Sequence, residues 1–207
     1  MSVTSKLDAM DEVDVLCRRV LGPGSAAEEA AARARASGTA GRLTLLAAAA
    51  AACRELSEGE NGELEPAGPP ASDGRGLVES VAAELAAASA KLPERQREAL
   101  VLRELLHLSH EQMAEVMGVD ASAAAPLLAR ARLRFRAERR GTETELGPDC
   151  AERDRSLRLL ACRQDSEPLS SDDDSWLLTH LGECRSCQTA HAAMLEASVC
   201  YRAWPVQ

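Results

Sequence analysis

Residues 92–140, LPERQREALVLRELLHLSHEQMAEVMGVDASAAAPLLARARLRFRAERR, decide how this chain is read. They divide into three helices. Pro93 suits a first helical position, where its missing N–H costs nothing. Ala99, Leu102, Leu105 and Leu106 form the inward face of that helix. Ser109-His110-Glu111-Gln112 has the form of a capping box, in which Ser109 bonds forward and the Gln112 side chain reaches back. A second helix over 110–117 then buries Met113, Ala114 and Val116 or Met117. Gly118 permits the positive φ of a tight turn, Val119 plugs into the core, and Asp120 caps a third helix. Two helices joined by such a turn make a helix-turn-helix, a layout that presents its second helix to DNA.

Upstream, residues 6–21 space Leu7, Met10, Val13, Leu16, Cys17 and Val20 as a helical stripe, which Gly22-Pro23-Gly24 ends. Ser25 caps a second helix, AAEEAAARARA, and a third runs from about Arg42 to Leu56 through the alanines 47–52. SEGENGELEPAGPPASDGR, rich in Gly, Pro, Ser and acids, cannot bury a core and reads as a flexible linker. A further helix spans Leu77–Ala90. The four aromatics, Phe135, Trp176, Tyr201 and Trp204, all follow residue 130, so the first two-thirds must pack with Leu, Val, Met and Ala. No stretch alternates with period two, and the expected class is all-α.

The formal charge of −9 argues against nucleic-acid binding by net attraction, although a local basic face can still act on its own within a screening length. The N-terminus has acids where a secretory segment needs an apolar run, and Leu43–Cys53 is too short to span a bilayer. A cytoplasmic location without membrane contact is expected. Seven cysteines in a reducing compartment point to metal ligands, redox thiols or core residues before disulfides. Cys17, Cys53 and Cys200 suit core packing, and His107 and His110 suit surface or capping positions.

After Gly141 the composition shifts. Cys150 opens a helix to about Arg163, and Ser170 or Ser171 caps the next, with Asp172, Asp173 and Asp174 in its first turn. That helix leads into His180-Leu-Gly-Glu-Cys184-Arg-Ser-Cys187, and a last helix runs to about Ala203. His180 and Cys184 lie one helical turn apart, and a C-x2-C turn aims two sulfurs at one centre, the N and S donors that tetrahedral zinc takes. A fourth ligand must come from upstream: Cys150 first, then Cys162, then His191. Four protein ligands would make one structural ion, with no open position for catalysis. No Gly-rich phosphate loop and no nucleophile–base signature occurs, which argues against an enzyme with a small-molecule substrate.

The stretch LPERQREALVLRELLHLSHEQMAEVMGV resembles region 4 of bacterial RNA polymerase sigma factors, especially the extracytoplasmic-function group. The resemblance is carried by Leu92-Pro93, Arg97, Leu100, Leu102-Arg103, Leu108-Ser109, Glu111, Ala114, Gly118-Val119 and Arg130-Ala131-Arg132. LCRRVLGPGSAAEEAAARARA and RLTLLAAAAAACREL resemble a degenerate region 2, and HLGECRSC resembles the zinc-binding anti-sigma family. These likenesses imply a region 2-like domain over 1–57, a linker over 58–76, a region 4-like domain over 77–141 and a zinc-binding module over 142–207. They imply RNA polymerase core or a partner sigma factor as partner, promoter DNA as a target, and a tail able to restrain the sigma-like halves in cis. The alternative is a sigma paralogue turned into a protein-binding, anti-sigma-type module.

The reading surface departs from the family. Base readout needs donors and acceptors, and within Ala121–Leu128 only Ser122 offers any. Pro126 costs about 3 kcal/mol inside a helix, so the third helix is expected to kink or to start later. Arg130, Arg132, Arg134, Arg136, Arg139 and Arg140 follow. They suit either phosphate contacts, which position a protein without specifying sequence, or a solvated face. Ser122, Arg130, Arg132, Arg134 and Arg136 are therefore the candidate DNA contacts. Residues 1–134 contain no aromatic that could stack on an unpaired base.

Overall fold

The computed structural model describes residues 11–59, 76–142 and 148–205. Among these the protein is all helix: α1 (Glu12–Leu21), α2 (Ser25–Ala36), α3 (Arg42–Gly59), α4 (Gly76–Ala90), α5 (Glu94–Leu100), α6 (His110–Met117), α7 (Ala121–Arg140), α8 (Arg153–Gln164), α9 (Ser171–Glu183) and α10 (Arg185–Ala203). Most of the linker expected over 58–76 lies outside the described residues, as do Leu7 and Met10 of the first expected stripe.

The first three helices close on one another through small side chains. Asp11 caps α1 by accepting from the Val13 amide at 3.1 Å. Val13, Leu16, Cys17 and Val20 face inward from α1, Ala27, Ala30, Ala31 and Ala34 from α2, and Leu46, Ala49, Ala50 and Cys53 from α3. Alanines at i, i+3, i+4 and i+7 give a helix an apolar stripe with almost no side-chain depth, so axes can approach closely. Cys17 and Cys53, expected in the core, are both fully buried there.

The helix-turn-helix is built by its own caps. The Ser109 hydroxyl accepts from the Gln112 amide at 3.2 Å while Gln112 accepts from the Ser109 amide at 3.0 Å. Gly118 takes φ 65°, a conformation in which a Cβ is strained. The Asp120 carboxylate accepts from the Ser122 amide at 2.8 Å and starts α7 at Ala121. Pro126 therefore lies inside α7, and the helix starts no later than its cap. One feature has no periodicity signal in the sequence: after Leu100, α5 winds on as a π-helical turn over Val101–Leu105. Such a turn inserts an extra residue per circuit and re-aims the side chains in it.

Helix α7 is the hub, with α4, α5, α6, α8 and α10 all packed against it, while α1 packs on α5 and α3 on α6. The larger core draws on α1 to α7 and also takes Ala197 and Tyr201 from α10. A second core joins Ala125, Ala129 and Leu133 of α7 to Leu157, Leu160, Leu177 and Met194 of the last three helices. Helices α8 and α10 are thus folded onto α7 rather than hanging from it. Arg97 ties α5 to α1, its Nε donating to the Val20 carbonyl at 2.7 Å. Arg19 of α1 donates to the carbonyls of Trp204 and Pro205 at 2.8 and 3.0 Å, with its guanidinium 3.4 Å from the Trp204 ring centre.

Candidate functional site

Two arrangements stand out: a cluster of sulfur and nitrogen donors at one corner, and the occupied basic face of α7. The first is assembled by the last three helices. Cys150 sits in the turn before α8, three residues ahead of its first helical position rather than within the helix. His180 lies in the last turn of α9, and Cys184 both ends α9 and caps α10, bringing Cys187 into the first turn of α10. Ser170 starts α9 by accepting from the Asp173 amide at 3.1 Å. Asp173 then pairs with Arg155 and Arg158, and Asp174 with Arg163, fixing α9 on α8.

The side chains of Cys150, His180, Cys184 and Cys187 place their four donor atoms within 4.8 Å of one another. Nε2 of His180 is 3.5 Å from Sγ of Cys150 and 3.2 Å from Sγ of Cys187. A tetrahedral zinc with ordinary Zn–S and Zn–N lengths separates its ligand atoms by about 3.6–3.8 Å. The donor set, one imidazole and three thiols, suits a soft or borderline divalent ion, so the residues present fit a metal of that kind. The His180 ring is held by Trp176, stacked on it at 4.7 Å and 9°, and Arg155 lies over the other ring at 4.1 Å from its centre. Burial pushes the Cys187 thiol up to about 12, while the amide of Cys187 pulls Cys184 below the ordinary thiol value.

The other two candidates for the fourth ligand lie elsewhere. Cys162 places Sγ 3.8 Å from Nδ1 of His110, on the side of α8 that meets the helix-turn-helix. His191 is half-buried near Arg163, and its burial holds its pKa below the usual imidazole value.

The second arrangement is the α7 surface. Of the candidate DNA contacts, Ser122 is exposed and its hydroxyl bonds back to the Asp120 carboxylate at 2.5 Å. Arg130 is half-buried beside Pro126, Asp154, Arg155 and Arg158 in a shallow groove between α7 and α8. Arg132 is fully buried: it grips Asp165 with both Nη atoms at 2.9 and 2.7 Å and donates through Nε to Glu104 at 2.8 Å. In this conformation it presents nothing to a phosphate. Arg134 pairs loosely with Glu138 at 3.8 Å, and Arg136 donates to Glu196 of α10 at 2.7 Å.

The Arg132 network had no local signature, because its partners are 28 and 33 residues away. Glu104 comes from the π-helical turn and also accepts from Ser198 at 2.7 Å and Arg202 at 2.6 Å, both on α10. Asp165, at the end of α8, further receives Arg103 at 3.2 Å and His110 at 2.9 Å. His110, expected at the surface or as a cap, is instead buried in this junction because Asp165 supplies a partner for its ring. Burial alone would raise Asp165, but His110, Arg132 and Arg103 together hold it well below the usual carboxylate range. Glu196 was also missed. It is the lone acid of α10, RSCQTAHAAMLEASVCYRA (185–203), and that single carboxylate in the middle of the helix was the available signal.

Residues 82–135 match the family model described as Sigma-70, region 4. The matched span covers α5 and α6 and most of α4 and α7, so the helix-turn-helix segment is similar to region 4 of the sigma family. No curated protein and no solved structure matches the chain. Among the described residues no helix is long and apolar enough to cross a membrane.

Proposed function

We propose that this protein is a sigma-factor-like regulator of bacterial transcription initiation, of the extracytoplasmic-function type, whose zinc-binding tail restrains it in cis. One observation carries the reading: α8 and α10 cover α7 on two sides, and tail carboxylates hold its arginines, Asp165 on Arg132 and Glu196 on Arg136, Arg139 and Arg140. The tail also clasps α1 through Trp204 and Arg19, so both sigma-like halves are held by one segment. The partners in this reading are RNA polymerase core and promoter DNA. Cys150, His180, Cys184 and Cys187 would hold one zinc ion, which supplies a structural cross-link among the turn before α8, the end of α9 and the start of α10.

The test is retention of the full chain by RNA polymerase core, with run-off transcription, compared with Asp165→Ala and Cys184→Ser chains whose tails are loosened. Retention that rises in the loosened chains supports cis restraint; no retention by any form sinks it. Elemental analysis is expected to find about one zinc per chain, lost in Cys150→Ser.

A second reading, a sigma paralogue serving as a protein-binding, anti-sigma-type module, is favoured by one specific feature. The first two turns of α7 offer only Ser122, already bonded to Asp120, for base recognition. Co-purification of another sigma factor in place of polymerase would select that reading.

A further inference from the structure

The four side chains of the Cys/His corner are not equally exposed: Cys150, His180 and Cys184 are half-buried, and Cys187 is fully buried. A thiol gives up its proton when it takes a metal, so each sulfur there becomes a thiolate that gains from hydrogen-bond donors around it. Cys150 accepts from the Glu152 amide at 3.4 Å, and the amides of Cys187 and Ser186 donate to Cys184. Both of these sulfurs also sit in half-buried residues, within reach of water. Cys187 has neither source, because it is closed to solvent and no backbone amide donates to its sulfur among the described residues. Its 3.2 Å contact is with Nε2 of His180, an atom that ligation would itself claim.

Ser156 of α8 stands beside this sulfur. It is fully buried, and its hydroxyl, a group that nearly always finds a partner inside a protein, has none at full hydrogen-bond geometry. Burial raises the Cys187 thiol, and the Ser156 hydroxyl is what acts most strongly in the other direction. The preceding residue, Arg155, lies over Trp176, whose ring stacks on His180. Consecutive residues of α8 thus address two ligands, one carried by α9 and one by α10. We infer that Ser156 is a positioning residue of the metal centre, its hydroxyl serving as the donor to the Cys187 thiolate. This rests on the metal-site reading above. It accounts for the orphaned hydroxyl: a buried polar group without a partner destabilises the metal-free fold, and a charged sulfur supplies that partner. Donors of this kind hold a ligand in one direction, and losing one commonly weakens metal binding by about 10–100-fold.

The experiment is competition between the full chain and a chelator for zinc, with cobalt(II) as a coloured substitute. Ser156→Ala is expected to bind zinc about tenfold or more weakly. It should also move the sulfur-to-cobalt charge-transfer band to longer wavelength, since a thiolate without a donor gives up charge more readily. Stripped of metal, the same variant is expected to melt at or above the temperature of the parent, because an unpartnered buried hydroxyl is gone. A role in packing alone cannot produce opposite signs with and without metal. Ser89→Ala removes another buried hydroxyl without a partner, on α4, and should leave metal affinity and band unchanged. Zinc affinity of Ser156→Ala within about twofold of the parent, an unmoved band, or a metal-free chain destabilised as much as the loaded one overturns the inference. A parent chain that takes up no zinc would sink the site reading itself, whereas equal uptake by parent and Ser156→Ala would overturn the role of Ser156 and leave that reading standing.

Discussion

Glu98 and Asp165 are buried to the same depth, each with a side chain 1% exposed, and they ionise in opposite directions. Glu98 lies in the seam where α5 meets α3 and α6, with Arg54 at 3.0 Å and Arg95 at 3.3 Å. Both arginines reach in from partly exposed positions, and Arg95 also donates to the Met117 carbonyl through the same nitrogen. Burial wins there and lifts the Glu98 carboxyl to about 7. Asp165 lies in the seam between α7 and the tail, where the buried Arg132 grips it with two nitrogens and Arg103 and His110 add further donors. There the donors win. Depth sets the cost of a buried charge, and the number of dry, well-aimed donors decides whether it is repaid.

The largest effect that could break this contrast is at the tail seam. Asp165→Ala strands Arg132 as a buried charge with Glu104 alone, and a loss of about 3–5 kcal/mol is expected in urea unfolding. A loss below about 1 kcal/mol would mean that Arg132 finds water or another partner.

Next is the pH response of Glu98. Its folded pKa of about 7 stands above the ordinary 4.5, so the folded state binds the extra proton and this group's contribution falls as pH rises from 4.5 to 7. Glu98→Gln should therefore gain on the parent between pH 5 and pH 8, by up to about 3 kcal/mol. Asp165 works in reverse: its contribution is complete above the unfolded pKa of an aspartate and drains away as pH falls toward its depressed folded value. Unfolding curves of Glu98→Gln at pH 5 and pH 8, and of Asp165→Ala at neutral pH and below the ordinary aspartate value of 3.8, check both signs.

Smaller is the clasp on α1. Trp204→Ala removes the ring under Arg19 and should cost about 1–2 kcal/mol, read by thermal melting. Smallest is Ser109→Ala, which breaks the capping box of α6 and should cost about 1 kcal/mol, sharpening the contrast between local and long-range contributions.

That last distinction also governs what could be read from the chain. Ser109, Gln112, Gly118, Asp120 and Ser170 were legible because each acts within three residues of itself. The inward face of α5 was legible from its spacing, but the π-helical turn that delivers Glu104 was not, since one inserted residue leaves no period to detect. The three side chains His180, Cys184 and Cys187 share a spacing that suits a metal. Cys150 carried no such mark against Cys162, and only the packing of α8 on α9 separates them. Arg132 and Arg136 looked alike in sequence, as two of four arginines at alternate positions from 130 to 136. Their fates differ because Arg132 faces the π-helical turn and the end of α8, whereas Arg136 faces α10.

The clasp between Arg19 and the Trp204 carbonyl joins residues 185 positions apart, and this gives the molecule a clock. A chain made at about 5–20 residues per second leaves α1 in being for on the order of ten seconds or longer before Trp204 is even synthesised. During that interval α1, α2 and α3 can fold on local contacts alone, and α7 emerges before Asp165 and Glu196 exist, with Glu104 already made as a partner for Arg132.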